Sequence, residues 1–140
     1  MIYKKTVSCN KVNLKALREF VLDILRQHRL SDSEANLIVV AVDEVCSNLM
    51  IHSHACNPKQ EIEVHVIRKK NGFEFVIYDN GEIFNIAEYT VPNMEELIKF
   101  KRTGGIGLIL VKKIMDSIRV EKKGGRNICR LFKNIAFQNA

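Results

Sequence analysis

The spacing of apolar residues along the chain switches between a period of two and a helical period, and this predicts strands and helices in a definite order. Alternation predicts a strand from Met1 to Cys9 and another over 61–68. Lys70-Asn71-Gly72 predicts a hairpin turn into a third strand. Gly124-Gly125 predicts a second hairpin, which joins strands at 118–123 and 127–135.

Three helices are predicted between these strands. Apolar residues at helical spacing indicate an amphipathic helix over 12–28. Ser31-Asp32-Ser33-Glu34 is typical of a capping box, and the apolar helix after it is expected to reach about His54. A third helix is expected from Leu110 to about Ser117, after a long connection over 85–103.

This order of elements predicts an α/β fold, an α+β two-layer sandwich in which helices cover one face of a mixed, mostly antiparallel sheet. A length of 140 residues suits one domain, so we expect a single domain over 1–140. The chain has no apolar run near the roughly 20 residues that span a bilayer. Its first residues lack the apolar core of a signal peptide. A cytoplasmic protein with no membrane partner is therefore expected.

Charge and cysteine content narrow the function classes. The net charge is +6, and the part from residue 97 onward carries 11 Lys and Arg against 2 Asp and Glu. Such a basic region could meet nucleic acid, an acidic partner or polyphosphate, although it is more often a solvated face. Since no nucleic-acid-binding motif is visible, no direct nucleic-acid partner is expected. The four cysteines include no C-x-x-C pair, so neither disulfides nor a zinc site is predicted.

A carboxylate and an amide, Glu44 and Asn48, stand four residues apart in the second predicted helix and so share one face. Polar groups in an apolar helix are costly unless they are satisfied. An amide oxygen suits Mg²⁺ and a carboxylate can accept a proton, so the pair is a candidate metal ligand and general base. The alternative is a pair at a helix edge that bonds to nearby backbone.

Two glycine-containing segments are further candidates. Asp79-Asn80-Gly81 follows a strand, where it is either an ordinary turn or an aspartate that reads an adenine amine. Gly104-Gly105-Ile106-Gly107-Leu108 opens the third helix, whose free N–H groups suit phosphate. This segment is neither a P-loop nor a dinucleotide fingerprint, and a flexible loop is its alternative.

Taken together, the three motifs resemble the GHKL ATP-binding superfamily, which includes gyrase and histidine kinases. Glu44-x-x-x-Asn48 resembles its N box, Asp79-x-Gly81-x-x-Phe84 its first glycine box and Gly105-x-Gly107-Leu108 its second. Residues 85–103 fall where that superfamily carries its ATP lid. Within it, the segment from Ala41 to His52 and Lys133 are most similar to bacterial anti-sigma factor serine/threonine-protein kinases.

This resemblance implies a site that binds ATP and Mg²⁺. Glu44 would be the general base for a serine hydroxyl, Asn48 the Mg²⁺ ligand and Asp79 the reader of adenine. The other nucleotide-binding residues would be Gly81, Phe84, Thr103, Gly104, Gly105, Ile106, Gly107 and Leu108. Asp43 and Thr103-Gly104 depart from the family pattern, and Asp43 adds charge beside the base.

The resemblance also implies partners. A sigma factor would be bound, an anti-sigma factor antagonist would be phosphorylated, and the chain would form a homodimer. Two other functions stay open: a nucleotide-dependent regulatory module without phosphotransfer, and a histidine-kinase-like ATPase domain.

Overall fold

The computed structural model describes residues 1–50, 59–79 and 105–137, and for 105–108 it describes the backbone alone. A 3₁₀ turn at Lys11–Asn13 precedes the first helix. The helices are α1 (Leu14–Gln27), α2 (Asp32–Asn48) and α3 (Gly105–Ile114). The strands are β1 (Ile2–Ser8), β2 (Glu61–Lys69), β3 (Gly72–Asp79), β4 (Ser117–Lys123) and β5 (Arg126–Asn134).

The five strands form one sheet in the order β1-β2-β3-β5-β4, and all four neighbouring pairs are antiparallel. The α/β class and the mostly antiparallel sheet are confirmed. The parallel pair that a mixed sheet requires is absent from the described strands. β3 and β4 do run in the same direction, but β5 lies between them.

The core lies between the helices and one face of the sheet. Phe73, Phe75 and Ile77 alternate along β3 and are fully buried. Leu17 and Val21 supply the matching stripe of α1. Burial of one such side chain contributes about 1.5–3 kcal/mol, so this layer fixes where the helices sit.

Both hairpins are confirmed, and glycine is required in each. A Cβ on Gly72 would overlap the backbone oxygen of Lys133 in the neighbouring strand, so a larger residue cannot occupy this position without displacing β5. Gly124 and Gly125 have φ angles of 59° and 78°, which L side chains rarely adopt.

α2 is the helix that carries the first motif, and it contacts both α1 and α3. The Ser31 hydroxyl accepts a hydrogen bond from the Glu34 N–H at 3.2 Å, as the capping-box pattern predicts. The structure describes this helix as far as Asn48, followed by a π turn at 49–50. Its predicted extension to His54 and the predicted connection over 85–103 lie outside the described residues.

The predicted end of the third helix at Ser117 is wrong. α3 ends at Ile114, and Ser117 is already the first residue of β4. The backbone N–H of Asp116 donates to the Phe132 carbonyl at 2.8 Å, and its carboxylate accepts from the Asn134 N–H at 2.7 Å. The chain has therefore joined β5 by residue 116, where a helix cannot continue.

None of the helices in the described ranges is long and apolar enough to cross a membrane.

Candidate nucleotide-binding site

Glu44 lies in the last part of α2 and is half-buried. Burial raises the pKa of its carboxyl above the ordinary value, and the negative charge of Asp43 raises the pKa further. A carboxylate with a raised pKa is a stronger base than an exposed one, because its charged form is less well solvated. The environment of Glu44 therefore favours proton acceptance.

Asp43, one of the residues that depart from the pattern of the family that the motifs resemble, contacts the neighbouring helix. Its Oδ1 lies 3.1 Å from the Nη1 of Arg18 on α1. The guanidinium offsets part of the aspartate charge that acts on Glu44. Asp43 therefore joins α1 to α2 and also raises the pKa of the candidate base.

Asn48 stands one turn after Glu44 and is only 4% exposed. Its Nδ2 donates to the backbone carbonyl of Glu44 at 2.7 Å, as the backbone-bonding alternative expects. A carbonyl can only accept, so the amide nitrogen must face the helix. The amide oxygen is therefore directed away from that carbonyl, and an amide oxygen can serve as a cation ligand. The two interpretations of this residue are compatible.

Asp79 is the last residue of β3 and is 2% exposed. Its Oδ1 accepts a hydrogen bond from the Nδ2 of Asn127 at 3.1 Å, directly across the β3–β5 pair. Asn127 is itself 4% exposed. An ordinary surface turn does not bury a carboxylate, so this burial favours a recognition role for Asp79.

Sequence reasoning missed Asn127. Its one local signal is a polar residue near the start of an apolar strand. The β3–β5 pairing that brings it to Asp79 joins residues 48 positions apart, and no motif spacing encodes that pairing.

The Asp79 carboxylate influences two buried thiols, Cys46 and Cys129. Burial raises the pKa of Cys46 on α2, and the Asp79 carboxylate is among the nearby groups that raise it further. Burial and Asp79 raise the pKa of Cys129 on β5 to about 12. Asp79 therefore acts electrostatically on Cys46, a residue of the helix that carries Glu44 and Asn48.

The third motif lies at the start of α3, whose first residue is Gly105. Ser31 and Ser33, at the amino end of α2, line a cavity of about 410 Å³ with Lys113 and Ile114 at the carboxyl end of α3. The two helices therefore run in opposite directions. This arrangement turns the amino end of α3, and its positive dipole, toward the end of α2 that carries Asn48.

Several predicted site residues cannot be placed. Gly81, Phe84, Thr103 and Gly104 lie outside the described residues, as does the predicted ATP lid over 85–103. Gly105, Ile106, Gly107 and Leu108 belong to the first turn of α3, of which the backbone is described.

Lys133, which contributed to the family resemblance, lies far from the other candidates. It is six residues along β5 from Asn127, about 20 Å at the usual strand rise. Its Nζ lies 3.7 Å from the Asp116 carboxylate. The ion pair links β5 to the end of α3, so a structural role explains Lys133.

The donor set suits one kind of metal ion. Over 1–50, 59–79 and 109–137, no group of three or more His, Cys, Asp or Glu side chains could hold a metal. Mg²⁺ commonly keeps several waters and binds proteins through one or two oxygens together with substrate phosphates. A single amide oxygen such as that of Asn48 is compatible with that mode.

Comparison with known proteins agrees with this architecture. A family model described as the histidine kinase-like ATPase domain matches residues 7–133. A serine-protein kinase RsbW of Oceanobacillus iheyensis is 32% identical over 90 residues, 61% of this chain and 57% of the relative. That of Bacillus subtilis is 25% identical over 97 residues, 61% of this chain and 56% of the relative.

A solved structure shares the fold. The crystal structure of the RsbU and RsbW domains of Rv1364c from Mycobacterium tuberculosis matches 96% of this chain and 32% of its own, with a TM-score of 0.68 and 15% identity. The chain spans a little over half the length of the curated relatives that it matches.

The chain belongs to the histidine kinase-like ATPase domain family. The GHKL resemblance that the three motifs predict is confirmed, and so is the fold class. An ATPase domain of this kind implies that ATP is the nucleotide.

Proposed function

We propose that this protein is an anti-sigma factor with serine/threonine-protein kinase activity, which uses ATP and Mg²⁺ to phosphorylate an anti-sigma factor antagonist. It would act in the cytoplasm as a homodimer and also bind the sigma factor. The observation that carries the proposal is Glu44, half-buried with a raised pKa, one turn before a buried amide on the same helix. Similarity to serine-protein kinases supports it.

Phosphoryl transfer requires positioning, charge neutralisation and a base. In the proposed reaction the Glu44 carboxylate accepts the proton of a serine or threonine hydroxyl. The hydroxyl oxygen bonds to the γ-phosphorus while the bond to the β–γ bridging oxygen breaks, and ADP leaves. Mg²⁺, when bound, neutralises phosphate charge, and Asn48 would hold it. Gly105 and Gly107 would leave the helix amides open to phosphate.

Asp79 would recognise the adenine. A carboxylate accepts a hydrogen bond from the exocyclic amine of adenine and offers no donor to the O6 of guanine. The Asn127 amide donates to Oδ1 and so orients this carboxylate. The predicted neighbours Gly81 and Phe84 and the lid over 85–103 would complete the pocket.

The proposal is tested by incubating the purified protein with γ-labelled ATP, Mg²⁺ and candidate antagonist proteins. We expect label on serine or threonine of one partner and none when Mg²⁺ is chelated. Tight ATP binding without transfer to any partner would instead favour the nucleotide-dependent regulatory module. Label that appears on a histidine of this chain would favour the histidine-kinase-like ATPase.

The Mg²⁺ ligand role predicts the effect of Asn48→Ala. Loss of one metal oxygen should weaken ATP binding in the presence of Mg²⁺ by about tenfold or more, with little change when EDTA is present. Titration calorimetry under the two conditions measures the difference. Asn36→Ala, which changes an exposed amide on the same helix, is the matched control. Equal ATP affinity in Asn48→Ala and the parent protein would refute the ligand role.

The position of Asp43 predicts a pH effect. Glu44 must be deprotonated to act, so the transfer rate should fall as the pH drops through its raised pKa. Asp43→Asn removes one cause of that raise, lowers the pKa of Glu44 and should move the acid limb of the pH–rate profile to lower pH. Asp23→Asn on α1, an exposed site, serves as the control. An acid limb that does not move, or moves upward, would show that Asp43 does not tune the base.

A further inference from the structure

An exposed apolar patch lies on the outer side of the helical layer. Leu37 and Val40 of α2 are 55% and 41% exposed, and Leu110 of α3 is 41% exposed. Leu110 lies one turn before Ile114, which lines the cavity between the two helices together with Leu37. We call the surface formed by Leu37, Val40, Leu110 and this cavity the α2–α3 furrow.

The furrow leads toward the candidate base. Leu37 and Glu44 are seven residues apart on α2, two helical turns, so they share one face of the helix. At 1.5 Å per residue their separation is about 10 Å along the helix axis. An extended polypeptide covers that distance in about three residues.

The far end of the furrow is polar and carries two lysines. Lys113 and Lys133 line the cavity there, opposite Ser31 and Ser33 at the amino end of α2. That helix end carries a positive partial charge. Glu34 also lines the cavity, and Asp116 pairs with Lys133 at 3.7 Å. Asp116 offsets the charge of Lys133, so exposed Lys113 and the helix amino terminus are the groups at this end that favour a carboxylate in the bound segment.

We propose that the α2–α3 furrow docks an acidic segment of the protein substrate. An apolar side chain about three residues from the acceptor hydroxyl lies against Leu37, Val40 and Leu110. Carboxylates further from the hydroxyl reach the lysine end. The proposal rests on the proposed kinase function, because it assumes that the acceptor hydroxyl is held at Glu44.

Binding of synthetic peptides tests this surface without requiring phosphotransfer. The probe is a fluorescein-labelled 14-residue peptide with one serine, a leucine three residues away and three glutamates beyond the leucine. A second version has the reverse order, and matched peptides carry alanine for leucine or lysine for glutamate. Fluorescence anisotropy, with ATP and Mg²⁺ present, should show saturable binding for one orientation of the leucine–glutamate peptide. The alanine and lysine peptides should bind at least tenfold more weakly.

Protein variants locate the binding. Leu37→Ser should weaken the peptide about tenfold, and Lys113→Glu should weaken it most at low salt. Val12→Ser and Lys122→Glu change exposed residues elsewhere and are the matched controls. Equal losses in Val12→Ser and Leu37→Ser, or no preference for the leucine–glutamate peptides, would overturn the proposal. If sedimentation shows that Leu37→Ser converts a dimer into a monomer, the furrow binds a second copy of this chain. That result would also overturn the proposal.

ATP affinity, measured on the same variants, separates this proposal from the kinase function. Normal ATP binding and transfer to a protein partner, with no peptide preference, would reject only the furrow. If the parent protein binds the leucine–glutamate peptide but transfers phosphate to no partner, the kinase function is rejected, and with it the role of the furrow in holding a kinase substrate.

Discussion

Glu44→Gln is expected to slow phosphoryl transfer by about 10²- to 10⁴-fold while ATP remains bound, which is the usual size of a general-base contribution. Glutamine keeps the shape of the side chain but cannot accept the proton of the attacking hydroxyl. The substitution also removes a charge that burial disfavours, so the stability of α2 should not suffer. Rates with labelled ATP and a protein substrate, together with ATP affinity, measure the effect.

The matched control for Glu44→Gln is Glu19→Gln, an exposed carboxylate on α1. This variant should retain the parent rate, because Glu19 forms only a 4.0 Å surface pair with Lys15. If Glu44→Gln transfers phosphate at the parent rate, Glu44 is not the base. If it loses ATP binding as well, its role is in the binding step rather than in proton transfer.

Asp79→Asn is expected to weaken ATP binding by about 10- to 100-fold, the range for loss of a hydrogen bond to a charged group. The asparagine amide can still accept through its oxygen, but it loses the charge and must reorient against Asn127. The preference for ATP over GTP should fall together with the affinity. Competition of the two nucleotides against a fluorescent ATP analogue gives both quantities.

Asn127→Ala is the companion variant, because it keeps the Asp79 carboxylate but removes the donor that orients it. A smaller loss of ATP affinity than in Asp79→Asn is expected. Thermal unfolding of both variants distinguishes a binding effect from loss of the fold, since both residues are buried. If the parent protein binds ATP and GTP equally well, Asp79 is not the residue that recognises adenine.

The elements of this fold were largely predictable from local patterns. Alternation in β2 and β3 follows from a sheet with one buried face, and Lys70-Asn71-Gly72 fixes their turn. The end of α3 was not predictable in the same way. Ile114 and Met115 continue an apolar helical stripe, and the contact that ends it is made with β5, far along the chain.

The candidate site likewise has a part that local sequence patterns predict and a part that depends on tertiary contacts. Glu44 and Asn48 could be found because four residues is a helical repeat. Asn127 could not, since the β3–β5 pairing alone brings it to Asp79. The raised pKa of Glu44 was equally inaccessible, because burial by the fold is its main cause. The antiparallel arrangement of α2 and α3, which turns Asn48 toward Gly105, also depends on tertiary packing.

The most direct test of a single ATP site is amide NMR of the ¹⁵N-labelled protein titrated with ATP and Mg²⁺. We expect saturable shifts of Asn48, Asp79, Gly105 and Asn127 with one common affinity. Lys133, at the opposite end of β5, should move little. Shifts that cluster around Lys113 and Lys133 instead, or no saturable shifts at millimolar ATP, would contradict a nucleotide site built from these motifs.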